Sequence, residues 1–369
     1  MRRPRLKRSV DARLTADGTL YLLRGDGQDD LAIRGDGDRA AALVRLCDGS
    51  RSLDDVLAEL AIADPAEEAS VVTALDALAA AGALDDAADD LEHLSAADAE
   101  RFERQLAFYG DVLPPGVSAA EAQARLRAST VCLLGVGGLG SWVAMALACS
   151  GIGRLTGVDG DRVELSNLNR QILFGETDIG ELKAERAARA LTGMDSRMTY
   201  TPIVRQLDSA AAIAEVIAGA DVVVTTVDWP PHAISQWVDR ACFEAGIPYL
   251  AMSQHPPKTR VGPLYVPGRT GCFACQERQY RRDYPLYDAL EAAEPVRHPS
   301  ATYGPACGVV GALGAGEVVR LLAGLGEPST IGSALLLDLH TFEVEREEVP
   351  REAGCEVCSA ALAVAGPTA

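Results

Sequence analysis

One stretch limits the possible folds more than any other: LLGVGGLGSWVA, Leu133–Ala144. An apolar run leads into spaced glycines and then into a helical pattern. This predicts a strand over Val131–Gly135, a tight turn, and a helix over Ser141–Ser150. Gly135, Gly137 and Gly140 fit the G-x-G-x-x-G fingerprint, and Gly138 leaves a further backbone position bare. Backbone N–H groups at such a turn, with the helix N-terminus behind them, hold an anion. The loop alone does not separate a dinucleotide redox cofactor from another phosphate ligand.

The same rhythm continues downstream. Strands are expected over Arg154–Asp159, Thr199–Val204, Pro248–Ser253 and within Asp221–Asp228, and helices over Glu181–Leu191, Ala210–Ile217 and Ala233–Ala245. Such alternation predicts an α/β fold with a doubly wound, mostly parallel, Rossmann-like sheet. Asp159 lies about 20 residues beyond Gly140, where a carboxylate meets a ribose hydroxyl in such folds.

Ahead of this region, apolar segments at Arg13–Ala16, Thr19–Leu23 and Leu31–Arg34 are separated by turn signals at Asp17-Gly18 and Gly25-Asp26-Gly27. Helices are expected over Asp38–Cys47, over Ser52–Leu60 with a Ser52/Asp55 capping box, and over Ala69–Leu84. A β-ribbon followed by three helices resembles a winged-helix module. Its helices are acidic, which favours a peptide partner over nucleic acid. Three regions are expected: 1–92 winged-helix-like, 93–128 linker and N-terminal helices, and 129–369 nucleotide-binding. The acidic segment 86–100 reads as linker entering a helix at Glu100–Gly110. The basic run MRRPRLKR at the amino terminus reads as a solvated arm.

Charge and apolar runs narrow the partners. The 369-residue chain carries a formal net charge of −19, so neither nucleic acid nor an anionic membrane is an expected partner. No run is read as reaching the ~18 apolar residues of a membrane span. Polar SVDARLTADG follows the basic start where a signal peptide would be apolar. The expected location is cytoplasmic. Nine cysteines there point to metal or catalysis rather than to disulfides.

A polar block decides the ligand. VDGDRVELSNLNRQILF and GETDIGELKAERA, Val158–Ala187, have no use in an ordinary dinucleotide domain. Together with the glycine loop they resemble the ATP-dependent adenylating enzymes related to ubiquitin-activating enzyme. The ThiF-type sulfur-carrier adenylyltransferases and molybdopterin synthase adenylyltransferase are bacterial members. The resemblance runs from about Glu100 to the carboxyl end. It implies ATP and Mg2+, with Gly135, Gly137, Gly138, Gly140, Asp159, Asp161, Asn167 and Gln171 binding the nucleotide. It implies catalytic roles for Arg170, Lys183 and Asp228, the last serving Mg2+. Arg104 would reach into a partner's site, so a homodimer is expected.

Cys272/Cys275 and Cys355/Cys358 form two C-x₂-C pairs. Four thiolates suit a tetrahedral structural Zn2+, and the resembling family has the same layout; a redox C-x-x-C is the alternative. Between the pairs, Arg278, Tyr280, Arg281, Arg282 and Tyr284 read either as a guide for an acidic or extended peptide or as a solvated loop. Cys307 opens a helix and does not match the family's covalent positions. The five histidines form no metal spacing.

A winged-helix module ahead of an adenylating domain resembles the leader-binding arrangement of microcin-type enzymes that modify ribosomally made peptides. The leading expectation is ATP-dependent adenylation of a peptide or small-protein carboxylate. Activation of a Gly-Gly sulfur-carrier protein is the second, and a non-catalytic leader-binding scaffold the third.

Overall fold

The computed structural model describes residues 1–24, 30–114, 117–294 and 301–359. The chain divides into two compact units, Met1–Arg125 and Leu126–Ala369.

In the first unit, β1 (Pro4–Leu6) pairs antiparallel with β5 (Leu84–Asp86). β2 (Asp11–Leu14), β3 (Leu20–Leu23) and β4 (Leu31–Ile33) form an antiparallel sheet in that order, with β4 at its edge. Helices α1 (Gly37–Leu46), α2 (Leu53–Glu59) and α3 (Pro65–Ala80) share a core with β3, in which Leu20, Leu22, Val44, Val56 and Leu75 are buried. The Ser52/Asp55 capping box forms in both directions. The Asp64 side chain caps α3 and Pro65 occupies its first turn, so the helix starts earlier than its apolar pattern. It stops at Ala80, close to the expected end near Gly82 (φ +73°), and Leu84 lies in β5. Helices α4 (Ala88–His93), α5 (Ala96–Arg101), α6 (Glu103–Val112) and α7 (Ala119–Ala128) follow. The turn read at Gly25-Asp26-Gly27 lies outside the described residues.

The basic run is no solvated arm. Arg2 pairs with Asp89 and Glu92, each at 2.8 Å, and Arg5 with Asp85 at 2.8 Å and Asp90 at 2.5 Å. The acidic segment read as linker supplies Asp89, Asp90 and Glu92, and Asp85 immediately precedes it. The two complementary runs are separated by roughly 80 residues of sequence, a distance that no local pattern spans.

The second unit opens with β6 (Thr130–Leu134), α8 (Gly138–Ser150), β7 (Arg154–Val158), α9 (Lys183–Met194), β8 (Thr199–Ile203), α10 (Ala210–Ile217), β9 (Val222–Thr225), α11 (Ala233–Ala245) and β10 (Tyr249–His255). Then come β11 (Lys258–Tyr265), α12 (Phe273–Asp283), α13 (Tyr287–Glu291), α14 (Gly304–Ala323), β12 (Ser333–Asp338) and β13 (Val344–Glu348). One eight-stranded sheet runs β13-β12-β11-β10-β9-β6-β7-β8. Strands β6 to β10 are mutually parallel, with β6 and β9 mostly buried and β8 at the exposed edge; β11 to β13 extend the sheet antiparallel. From β6 the chain winds outward through β7 and β8, then returns to β9 on the other side. The crevice between β6 and β9 is the topological switch point, where doubly wound sheets bind ligands.

Helix α14 is 20 residues long with a mean hydropathy of 1.6 in its most apolar window. That is long and apolar enough to cross a membrane, contrary to the sequence reading. It packs on α8, β10 and β11, with Val310, Ala315 and Val318 buried, so its apolar character belongs to the core.

Candidate active site

The glycine loop leaves β6 at the switch point. Gly135 has φ +91°, and Thr226 Oγ1 stands 2.7 Å from where its Cβ would be. At Gly140 a Cβ would lie 2.0 Å from the Gly135 carbonyl oxygen. Gly140 thus serves the turn itself, letting the start of α8 close onto the strand. Thr226 donates to the carbonyls of Leu134 (3.1 Å) and Gly135 (3.0 Å), pinning the loop to the end of β9. Gly137 and Gly138 are different. A Cβ on Gly137 would meet only Gln171 Nε2, at 3.6 Å, and one on Gly138 would meet Cys307 Sγ at 3.1 Å. Their bare backbone lies at the N-terminus of α8, of which Gly137 is the N-cap.

The sheet edge brings the acids beside this loop. Asp159 accepts from the Val136 N–H and the Asp161 N–H, each at 2.9 Å, so it braces the loop from the end of β7. Burial pushes its carboxyl above the ordinary range, against the pull of Lys183 and of these two N–H groups. Asp161 accepts from Lys183 Nζ and from Gln206 Nε2, each at 3.0 Å. Lys183 opens α9 and is only 6% exposed, so its ammonium is held at the site.

SNLNRQ folds as a one-turn 3₁₀ helix, Leu165–Asn167, and its continuation. Asn167 is buried, and its Oδ1 accepts from the Glu164 N–H at 3.1 Å. Arg170 donates to the Ser166 carbonyl (2.9 Å) and to Asn169 Oδ1 (3.0 Å). Its Cδ and Nε stand 3.5 Å from a Cβ position on Gly138. Gln171 is 3% exposed, and its Oε1 has no hydrogen-bond partner among the described residues. A buried amide oxygen left alone is unfavourable by ~1–3 kcal/mol, so this atom is poised for a ligand. Asp228 follows β9 and is exposed; among the described residues no hydrogen bond or ion pair engages its carboxylate. Arg104 lies in the first unit, exposed on α6.

Three supports escaped the sequence reading. Trp142 Nε1 donates to the Arg170 carbonyl at 3.1 Å, tying α8 to the arginine. Thr226 and Gln206 anchor the loop and Asp161. The one legible signal was Thr226, a polar residue ending the apolar run DVVVTTVD.

The four cysteines also converge. All are buried, and their sulfurs lie within 4.8 Å of one another. Cys272 and Cys275 are 3.8 Å apart, Cys272 and Cys355 3.5 Å, Cys275 and Cys358 3.6 Å. Four thiolates around a zinc ion at Zn–S ~2.3 Å stand about 3.8 Å apart, so the set fits that ion. A disulfide needs about 2.05 Å, and all nine cysteines are free thiols. Cys272 is the N-cap of α12. Buried Asp239 accepts from the Phe273 N–H (2.9 Å), the Ala274 N–H (3.2 Å) and the Tyr249 hydroxyl (2.8 Å), fixing that end of the helix.

Among the described residues after Cys275, those up to Asp283 and Tyr287–Glu291 are helical rather than loop. Arg281 pairs with Asp288 (2.8 Å) and Glu291 (2.5 Å), and Arg282 with Glu352 (2.6 Å). Tyr280 donates to Glu347 at 3.0 Å. These charges are engaged within the fold, which weakens the reading of Arg281 and Arg282 as a peptide guide; Tyr284 is 52% exposed.

The first unit carries a concave apolar surface. Edge strand β4 and helices α1 and α3 enclose an apolar groove of about 350 Å³. Leu31, Ile33 and Leu43 line one side, and Ala74, Ala77 and Ala81 the other.

A model of the ThiF family matches residues 103–357. The chain belongs to the ThiF family. Among ThiF-type proteins it is 32% identical over 238 residues to the molybdopterin-synthase adenylyltransferase of Escherichia coli (strain K12), covering 64% of this chain and 90% of that one. It is 31% identical over 240 residues to the sulfur carrier protein ThiS adenylyltransferase of the same organism, covering 65% and 90%. The protein is thus an adenylyltransferase of the ThiF type. The structure of E. coli MccB solved with ATP superposes with a TM-score of 0.71 at 25% identity, covering 96% of this chain and 99% of that one. MccB, described as a microcin C7 biosynthetic enzyme, has also been solved with MccA.

Proposed function

We propose that this ThiF-type enzyme adenylates a carboxylate of a ribosomally made peptide, capturing the peptide with its first unit and activating it with its second. The reach of the structural likeness carries this reading. Coverage of 96% with MccB cannot be attained without the residues ahead of Glu103, where the family model begins. The sulfur-carrier enzymes match about two thirds of the chain.

The chemistry needs no protein nucleophile. A substrate carboxylate attacks the α-phosphorus of ATP, and pyrophosphate leaves. The protein must orient the two and stabilise developing charge with prearranged donors and cations. Backbone N–H groups at Gly137 and Gly138 and the α8 N-terminus cradle phosphate. Arg170 and Lys183 supply positive charge, and a guanidinium can contact two phosphate oxygens at once. Asp159 accepts from the ribose, with Asp161, Asn167 and Gln171 beside it. Asp228, exposed and unengaged among the described residues, would hold Mg2+, which neutralises charge on the phosphate oxygens. Arg104 acts in this reading across a homodimer, from a partner copy. Zn2+ on Cys272, Cys275, Cys355 and Cys358 is structural, and Cys307 carries no covalent role. ATP-dependent chemistry with reduced thiols suits the cytoplasm.

The groove beside β4 suits an extended peptide. An edge strand offers unpaired N–H and C=O groups, and apolar walls take alternate side chains of an added strand. The two named relatives favour a second reading, activation of a sulfur-carrier protein, which would use the same nucleotide site. Pyrophosphate release from ATP separates the two. Release with a leader-bearing peptide, lost in Arg170→Ala, supports the proposal. Release with a Gly-Gly-ending carrier protein alone supports the second reading.

A further inference from the structure

β10 outruns β9 at the ligand-binding edge of the sheet. Thr225, the last residue of β9, pairs with Ala251 on one side and with Leu134 on the other. Gln254 lies three residues farther along β10, roughly 10 Å at ~3.3 Å per residue. It therefore stands at the edge from which the glycine loop and Asp228 depart.

Its amide is oriented by the protein. Gln254 Oε1 accepts from the Thr302 hydroxyl and, at 3.7 Å, from the Cys307 thiol. Thr302 Oγ1 and Cys307 Sγ are themselves 3.4 Å apart. In this orientation the oxygen takes both donors and Nε2 faces away from them. Nε2 is left buried, with no hydrogen-bond partner among the described residues. The same Cys307 sulfur lies 3.1 Å from a Cβ position on Gly138, against which Arg170 also packs. Gln254 is one side chain removed from the glycine loop, on its α14 side.

We infer that Gln254 binds the acyl half of the substrate, its Nε2 donating to an oxygen of the carboxylate that is adenylated. The inference rests on the adenylation reading above. The residue type suits the task. Arg170 and Lys183 already serve the phosphate charge. A third cation at the nucleophile would hold its charge and blunt its attack. A neutral amide orients the carboxylate and keeps the same hydrogen bond to the carbonyl of the acyl adenylate. Thr302 and Cys307 are positioning residues that hold the amide oxygen.

Two nucleotide probes isolate the acyl contact. AMP lacks an acyl group, and N-acetylglycyl sulfamoyladenosine mimics an acyl adenylate without reacting. Calorimetry on the full chain is expected to show both binding to wild type. In Gln254→Leu the acyl mimic should bind about tenfold more weakly, the loss of one hydrogen bond of ~1.4 kcal/mol. AMP should bind that variant as before, which also reports that it is folded. Thr302→Val, which frees the amide to turn, should show a smaller loss of the same kind. Equal affinity of Gln254→Leu and wild type for the mimic overturns the inference, as does an equal loss of both probes. If wild type binds neither probe, the adenylation reading falls and takes this inference with it.

Discussion

The cysteine cluster and the glycine-loop cluster sit in the same unit and differ in how completely their polar groups are satisfied. Around the cysteines every carboxylate named above has a protein partner, and among the described residues of α12 one buried amide oxygen, Gln279 Oε1, lacks one. Asp239 accepts three bonds, and Glu347 takes Arg260 through both oxygens, at 2.9 and 3.0 Å. Around the glycine loop, Gln171 Oε1 and Gln254 Nε2 are buried and alone among the described residues, and Asp228 is unengaged among them. A region finished by the protein holds a fold. A region left unfinished waits for a ligand. The difference marks the first cluster as structural and the second as the place of chemistry.

The largest expected effect tests the finished cluster. The purified protein should contain one zinc per chain. Cys272→Ser with Cys355→Ser should abolish it and lower Tm by about 10 °C or more, since structural zinc supplies folding energy outright. Metal analysis with calorimetric melting reads both; a zinc-free wild type of undiminished stability would break the distinction.

Gly140→Ala probes a finished position inside the unfinished region. Its Cβ would lie 2.0 Å from a backbone oxygen, so a loss of roughly 3 kcal/mol or more is expected in denaturant melts. At Gly137 the same methyl meets nothing closer than 3.6 Å. Gly137→Ala should melt within ~1 kcal/mol of wild type yet bind ATP at least about tenfold more weakly, because the methyl fills space kept for phosphate. Equal effects at the two glycines would contradict the assignment.

Asp228→Asn should lower the rate of pyrophosphate release about a hundredfold, the scale of a lost charge-stabilising group, with Tm unchanged. The smallest effect belongs to Arg281→Ala. Its pairs are surface ion pairs, worth ~0–1 kcal/mol, so neither stability nor peptide-dependent turnover should move by more than about twofold.

Chemistry carried by local spacing was legible in the sequence. The glycine loop, SNLNRQ and the C-x₂-C pairs each place their functional groups within a few residues. The helices Ala210–Ile217 and Ala233–Ala245 were bounded as expected, because apolar periodicity sets their ends. What depends on distant partners was hidden. Arg2 and Arg5 find carboxylates far along the chain, and β11 meets β12, a strand remote in sequence. Gln254 joins the site only because β10 lies beside β9. Gly140 looked like a ligand glycine, and only the close approach of Gly135 shows that its smallness serves packing.

The central claim is that one chain joins a peptide-holding groove to an adenylating site. ATP–pyrophosphate exchange by full-length wild type and by Ala77→Glu, with leader-bearing peptides ending in a free carboxylate, tests it most directly. Ala77 is exposed on the groove wall, so a charge there should block the groove and leave the core intact. The account predicts peptide-stimulated exchange in wild type, at least about tenfold weaker in Ala77→Glu at limiting peptide, with ATP affinity the same in both. Exchange stimulated only by a Gly-Gly carrier protein, and equal in the two proteins, would contradict it.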